Sequence, residues 1–141
     1  MNRKGPIIFI EDDSDDQEIL KAAFDSLEFG NEIIFFNDGR AAIDFLTTSN
    51  VEPFIIFSDI NMPKLTGLEL REKIQENEEL RLKSIPFLFF STSAEQKHVV
   101  DAYSKSVQGF FIKPAVYNEI RDVLKVILEY WMRCVSPLYI K

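Results

Sequence analysis

The sequence predicts an α/β fold: a five-stranded parallel sheet in the order 2-1-3-4-5, with helices on both faces. Three observations predict it. Five short runs are apolar without alternation: Pro6-Ile7-Ile8-Phe9-Ile10, Glu32-Ile33-Ile34-Phe35-Phe36, Phe54-Ile55-Ile56-Phe57, Pro86-Phe87-Leu88-Phe89-Phe90 and Gly109-Phe110-Phe111-Ile112. That pattern suits strands buried on both faces. Stretches with apolar residues at helical spacing separate the runs, and such alternation implies parallel strands joined by helical crossovers. Finally, the first, third, fourth and fifth runs end in carboxylate, hydroxyl or ammonium side chains, and the C-terminal ends of strands are where open α/β sheets place their chemistry. Right-handed crossovers leave few topologies for five strands, of which 2-1-3-4-5 is favoured.

Each element follows from its residues. The first strand ends in Glu11-Asp12-Asp13, and Ser14-Asp15-Asp16 offers helix N-caps and negative charge in the first turn. Ile19, Leu20, Ala23, Phe24 and Leu27 recur at helical spacing, and Phe29-Gly30-Asn31 ends that helix. After the second strand, Asn37-Asp38-Gly39 turns the chain into a helix with Ala42, Ile43 and Leu46 inward. The third strand delivers Asp59 at its end. Asn61-Met62-Pro63 stops it, because Pro63 has no N–H for the ladder. Gly67 opens a helix with Leu68, Leu70 and Ile74 apolar, and Glu76-Asn77-Glu78-Glu79 reads as its frayed end and a loop. The fourth strand ends in Ser91-Thr92-Ser93 and leads to a polar helix over 94–105 carrying Val99, Val100 and Tyr103. The fifth ends in Lys113-Pro114, and the last helix runs over 115–133. Its core stripe is Ile120, Val123, Leu124, Ile127 and Trp131. Val126, Leu128, Tyr130 and Met132 widen the apolar arc beyond the ~100° that a surface helix needs. Either the tail Val135-Ser136-Pro137-Leu138-Tyr139-Ile140 covers this surplus, or it marks a homodimer or partner face.

The totals bound the class. At 141 residues a single domain is expected over 1–141, with a short C-terminal extension from about 134. Thirteen Phe supply core volume, and a net charge of −7 argues against a nucleic-acid surface, which needs clustered Lys and Arg. Cys134 is the one cysteine, so no intramolecular disulfide can form and a reducing compartment is expected. There is no signal-peptide apolar region and no apolar run near ~18 residues. The reading is cytoplasmic, with no membrane partner.

In the 2-1-3-4-5 order Glu11, Asp12 and Asp59 converge from adjacent strands. Each residue has an ordinary reading when taken alone: Asp59 ends a strand, Ser91 caps a helix, Lys113 is a surface lysine. Together they read differently. Three carboxylates at one point repel one another unless a cation joins them, and oxygen ligands suit Mg²⁺. A carboxylate nucleophile, a divalent metal, a hydroxyl and an ammonium are the parts of phosphoryl transfer to an aspartate.

The motifs are Ile10-Glu11-Asp12-Asp13, Ser58-Asp59-Ile60-Asn61-Met62-Pro63 with Gly67 beyond it, Ser91-Thr92-Ser93, and Gly109-Phe110-Phe111-Ile112-Lys113-Pro114. With them the sequence resembles a response-regulator receiver domain of two-component signalling, of the flavodoxin-like fold, over nearly the whole chain. The resemblance implies that Asp59 is the phosphoacceptor. It implies that Glu11 and Asp12 hold Mg²⁺ with Asp59, that Asn61 adds its backbone carbonyl, and that Lys113 pairs with the phosphoryl oxygens. Ser91 is then the switch hydroxyl, expected to reach the phosphoryl group only after its loop moves inward, and Phe110 sits at the switch aromatic position. The Lys113–Pro114 bond is expected to be cis. Two departures from the family pattern stand out: Thr66 replaces the usual Asp before the loop glycine, and Lys105-Ser106-Val107 replaces a Gly-containing turn.

The expected function is a stand-alone receiver, without an output domain. It takes a phosphoryl group from a histidine kinase or phosphotransfer protein and signals through a changed protein-binding face to a downstream protein partner. It is not expected to be an enzyme, beyond assisting its own phosphorylation and dephosphorylation. Two rivals are a Mg²⁺-dependent aspartyl-phosphate phosphatase and a phosphorylation-independent scaffold. The phosphatases that use a strand-end Asp need a second Asp two residues on as general acid. Here Asn61 stands there, with no useful proton to give.

Overall fold

A computed structural model describes residues 1–92 and 95–136. Five parallel strands, β1 (Ile7–Ile10), β2 (Ile33–Phe36), β3 (Ile55–Ser58), β4 (Phe87–Ser91) and β5 (Gly109–Ile112), form one sheet in the order β2-β1-β3-β4-β5. This is the predicted order. Among the described residues six helices surround it: α1 (Ser14–Ser26), α2 (Gly39–Thr48), α3 (Gly67–Glu76), α4 (Glu78–Leu82), α5 (Gln96–Ser104) and α6 (Tyr117–Arg133).

Successive strand residues point to opposite faces, and the sheet builds two cores in this way. Ile8, Ile10, Ile56, Phe87 and Phe89 pack with Ala42 and Leu46 of α2, Leu70 of α3, Leu80 of α4 and Ala102 of α5. Ile7, Phe9, Ile55, Phe57, Leu88 and Phe90 pack on the other face with Leu20 and Phe24 of α1 and Ile120, Leu124 and Ile127 of α6. On that second face Phe9 stacks on Phe57 at 4.8 Å and on Phe35 at 5.5 Å between centroids. Each such side chain, buried in full, contributes about 1.5–3 kcal/mol of transfer free energy. The edge strands differ from the centre, since β2 is only half-buried and Ile112 of β5 is exposed.

Several expectations are corrected. The N-cap of α1 is Asp13, not a residue of 14–16; its carboxylate accepts from the N–H groups of Asp15 (2.8 Å) and Asp16 (3.1 Å). Ile19, assigned to the inner stripe, is exposed. The stretch expected to be a frayed end and loop contains α4: the Asn77 side chain accepts from Leu80 N–H at 3.0 Å, and Leu80 is buried in the core. A single inward apolar residue leaves no periodicity to detect. The helix expected from 94 begins at Gln96, with Ser93 and Ala94 outside the described residues. The last helix begins at Tyr117 rather than 115, because Val116 is extended (φ −106°, ψ 133°).

The surplus on the last helix shrinks. Leu128 is fully buried and Met132 packs against the core, leaving Val126 (66% exposed) and Tyr130 (61%). Ser136 is buried, and its hydroxyl donates to the Met1 carbonyl. The remainder of the tail, 137–141, lies outside the described residues.

Candidate functional site

The site forms where β1 and β3 end side by side. Asp59 N–H donates to the Ile10 carbonyl at 3.1 Å and so continues the ladder one residue past Ser58. Beyond Asp59 the chain loops and returns, with Gly67 N–H donating to Ile60 O at 2.8 Å. This return passes so close to the Asp59 backbone that a Cβ on residue 67 would overlap the Asp59 carbonyl oxygen and press on the Phe89 ring at 2.6 Å. Glycine is therefore required at 67 by space. Thr66, the departure from the family pattern, closes a capping box. Its hydroxyl accepts from Glu69 N–H (3.2 Å), and the Glu69 carboxylate accepts from Thr66 N–H (3.0 Å).

Asp59 is half-buried, and its two carboxylate oxygens differ. Oδ1 accepts from Ile60 N–H at 2.7 Å and from the Ser91 hydroxyl at 2.8 Å. Oδ2 has no hydrogen-bond partner among the described residues. Ser91, buried at the end of β4, already reaches the carboxylate, so an inward loop movement is not needed to bring its hydroxyl to Asp59.

Glu11 is buried, Asp12 exposed, and each offers an oxygen to a cluster with Asp59 in which the ligand atoms lie within 4.8 Å of one another. Asp13 N–H holds Glu11 Oε2 at 3.2 Å. Lys113, buried at the end of β5, donates to Glu11 Oε1 and lies 3.4 Å from Asp16 Oδ2. Asp16 was not singled out in the sequence. It lies in the first turn of α1, where the sequence marks it only as an N-cap candidate and a helix-terminus charge.

Burial pushes the Glu11 carboxyl above its ordinary value. The Lys113 contact and the Asp13 N–H oppose that, and the Asp59 charge adds to it. Burial works to lower Lys113, but the bond to Glu11 and the charges of Glu11, Asp16 and Asp59 outweigh it and hold the ammonium above its ordinary value. The two directions have different origins, burial for Glu11 and the surrounding carboxylates for Lys113, at a site that carries more carboxylates than cations. Oxygen-only donors with excess negative charge fit a hard divalent cation such as Mg²⁺.

Asn61 is exposed in the loop two residues past Asp59, and Phe110 is half-buried on β5, its ring 5.8 Å from that of Phe89. Lys113–Pro114 is trans, as no peptide bond among the described residues is cis. This corrects the expected cis bond; trans is the form that X–Pro bonds favour by about 0.5–1 kcal/mol.

Residues 7–125 match the model of the response regulator receiver domain. The chain belongs to this family. Among curated relatives of this receiver domain, the probable methanogenesis regulatory protein FilR2 of Methanothrix harundinacea (strain 6Ac) is 30% identical over 130 residues, covering 89% of this chain and 83% of that one. Response regulator Rcp1 of Synechocystis sp. is 26% identical, covering 92% and 90%. Among solved structures, the phosphorylated cyanobacterial phytochrome response regulator RcpA superposes with a TM-score of 0.84 at 25% identity, covering 94% and 98%. The Mn²⁺-bound form of Rcp1 gives 0.80 at 26% identity, covering 94% and 97%. Among the described residues of the receiver domain, no helix is long and apolar enough to cross a membrane.

Proposed function

We propose that Asp59 accepts a phosphoryl group from a histidine kinase or phosphotransfer protein, and that the receiver then signals through an altered protein-binding face. The observation that carries this reading is the asymmetry of Asp59: Oδ1 is held by Ile60 N–H and the Ser91 hydroxyl, while Oδ2 has no hydrogen-bond partner among the described residues. A nucleophilic oxygen must be oriented and also unencumbered.

An Asp59 carboxylate oxygen attacks phosphorus as the P–N bond of phosphohistidine breaks. The bond's electron pair stays with the imidazole, which leaves neutral when its other nitrogen is protonated. Glu11, Asp12 and Asp59, with the Asn61 carbonyl, would hold Mg²⁺, whose charge offsets that of the phosphoryl oxygens. Lys113 turns from Glu11 and Asp16 to those oxygens, and Ser91 donates its hydroxyl to one of them. The protein is thus a stoichiometric acceptor rather than a turnover enzyme.

The face that answers is built by α5, β5 and the start of α6, where Val100, Tyr103, Ile112 and Val116 are exposed and Val99 and Phe110 half-buried. The test is phosphoryl incorporation from acetyl phosphate with Mg²⁺, followed by intact-protein mass spectrometry. The parent gains one phosphoryl group and Asp59→Asn gains none. Incorporation that survives in Asp59→Asn places the acceptor elsewhere.

A further inference from the structure

At the edge of the sheet opposite Asp59, where β4 and β5 begin, lies a cavity of about 270 Å³. Arg71 of α3, Gln75, Leu80, Arg81, Gln108 and Trp131 line it. Arg71 is only 5% exposed, yet it makes no ion pair among the described residues; the neighbouring Glu72 pairs instead with Lys105. Its Nε and Nη2 donate to the carbonyls of Lys105 (3.1 Å) and Ser106 (2.7 Å), and its guanidinium lies 5.3 Å from the Phe87 ring centroid. Those partners are neutral, and Nη1 has no hydrogen-bond partner among the described residues. Burial alone lowers the Arg71 pKa to about 10, with no carboxylate opposing the shift.

A buried cation without a counter-charge is costly, and buried charges are as a rule paired. Holding the turn at Ser106 (φ 60°) explains two donors of Arg71 but not its charge. Arg81 adds a second cation at the rim, Gln75 and Gln108 add amide groups, and Trp131, Leu80 and Ile74 add apolar surface. Planar bidentate recognition of carboxylate or phosphate is what guanidinium groups do best.

We propose that this cavity binds a small organic anion, a carboxylate or a phosphate monoester on a compact aromatic or apolar body. Its volume lies just below the usual range of ligand pockets, which begins near ~300 Å³, so the ligand is small.

Trp131 is the one tryptophan of the chain, so its emission reports on the cavity. Benzoate, phenyl phosphate, inorganic phosphate and uncharged benzamide are titrated into the intact protein in EDTA, with Asp59→Asn run in parallel. Saturable responses to benzoate or phenyl phosphate, the same in Asp59→Asn, and at least tenfold weaker binding of benzamide are expected. Preference between the first two tells carboxylate from phosphate. Arg71→Met should weaken binding at least tenfold, and Arg71→Lys should restore part of it. If Arg71→Met does not fold, amide shifts of the parent decide: benzoate should move Gln75, Ser84 and Gln108 and leave Asp12 and Asp59 in place. A non-saturable response, an equal response to benzamide, undiminished binding in folded Arg71→Met, or shifts confined to other regions overturns the proposal.

Discussion

At Glu11 three demands meet: burial, a bond to Lys113, and a place in the carboxylate cluster. Its raised pKa makes proton and metal competitors for the same oxygens. The folded value lies above the ordinary 4.5, so between the two the folded protein holds a proton that the unfolded chain has lost. Without metal, stability therefore falls as pH rises through that window. Mg²⁺ affinity does the opposite. It rises with pH through the same window, by at most about tenfold per unit for one proton, and levels off above it. Mg²⁺ titrations of the Asp12 and Asp59 amide shifts from pH 4.5 upward, in the parent and in Glu11→Gln, measure this, and the same pH dependence in both would show that the Glu11 proton is not the competitor. Lys113 acts on stability in the same direction as Glu11, at higher pH: its raised pKa contributes stability that is present below 10.5 and lost as pH climbs through the folded value.

At the scale of elements, α3 is positioned by its entry. Gly67 brings the chain back across Asp59, and the Thr66–Glu69 capping box satisfies two N–H groups at the helix start. Thr66→Ala removes the hydroxyl and should cost about 0.5–2 kcal/mol in urea unfolding, with the denaturant slope unchanged. An Asp at 66 can supply the same acceptor, so Thr66→Asp should stay within about 0.5 kcal/mol of the parent. Equal losses in both variants would show that the hydroxyl is not the cap. By contrast, the N-cap residues of α5 and α6, Glu95 and Val116, make no side-chain cap hydrogen bond. The helices around the proposed responding face thus lack the side-chain caps that hold α1, α2 and α3.

Across the whole molecule, the route from Asp59 to that face is short. Ser91 binds Asp59 Oδ1, and Lys113 N–H donates to Ser91 O at 2.8 Å. Phe110 pairs with Phe89 across β4 and β5. A phosphoryl group would redirect the Ser91 hydroxyl and Lys113 at once. Phe110, being apolar, can rotate inward without stranding a hydroxyl. Moving a two-state equilibrium from mostly one form to mostly the other takes about 5 kcal/mol of differential binding, so a partner is expected to complete the shift. Ser91→Ala should remain phosphorylatable while the amide shifts of Val99, Tyr103 and Phe110 on adding beryllofluoride become smaller than in the parent. Undiminished shifts would exclude the hydroxyl as the link.

The amino-acid sequence by itself determined the strands, their order and the residues at their ends. An apolar run, a turn residue and a helical stripe are local properties, and right-handed crossovers leave little freedom in assembling them. Glu11, Asp12, Asp59, Ser91 and Lys113 were legible for that reason, each standing at the end of such a run. Only the tertiary structure decided which of them touch. Lys113 meets Glu11 across 102 residues and meets Asp16 as well, and among the described residues one oxygen of Asp59 is held while the other is not. It also buried Leu128, placed Leu80 of α4 in the core, and closed Arg71 over the carbonyls of a turn 34 and 35 residues away. The physical reason is common to all of these. Periodicity records which face of an element is apolar, whereas the partner of a polar group is set by where distant chain segments come to lie, and no local pattern encodes that.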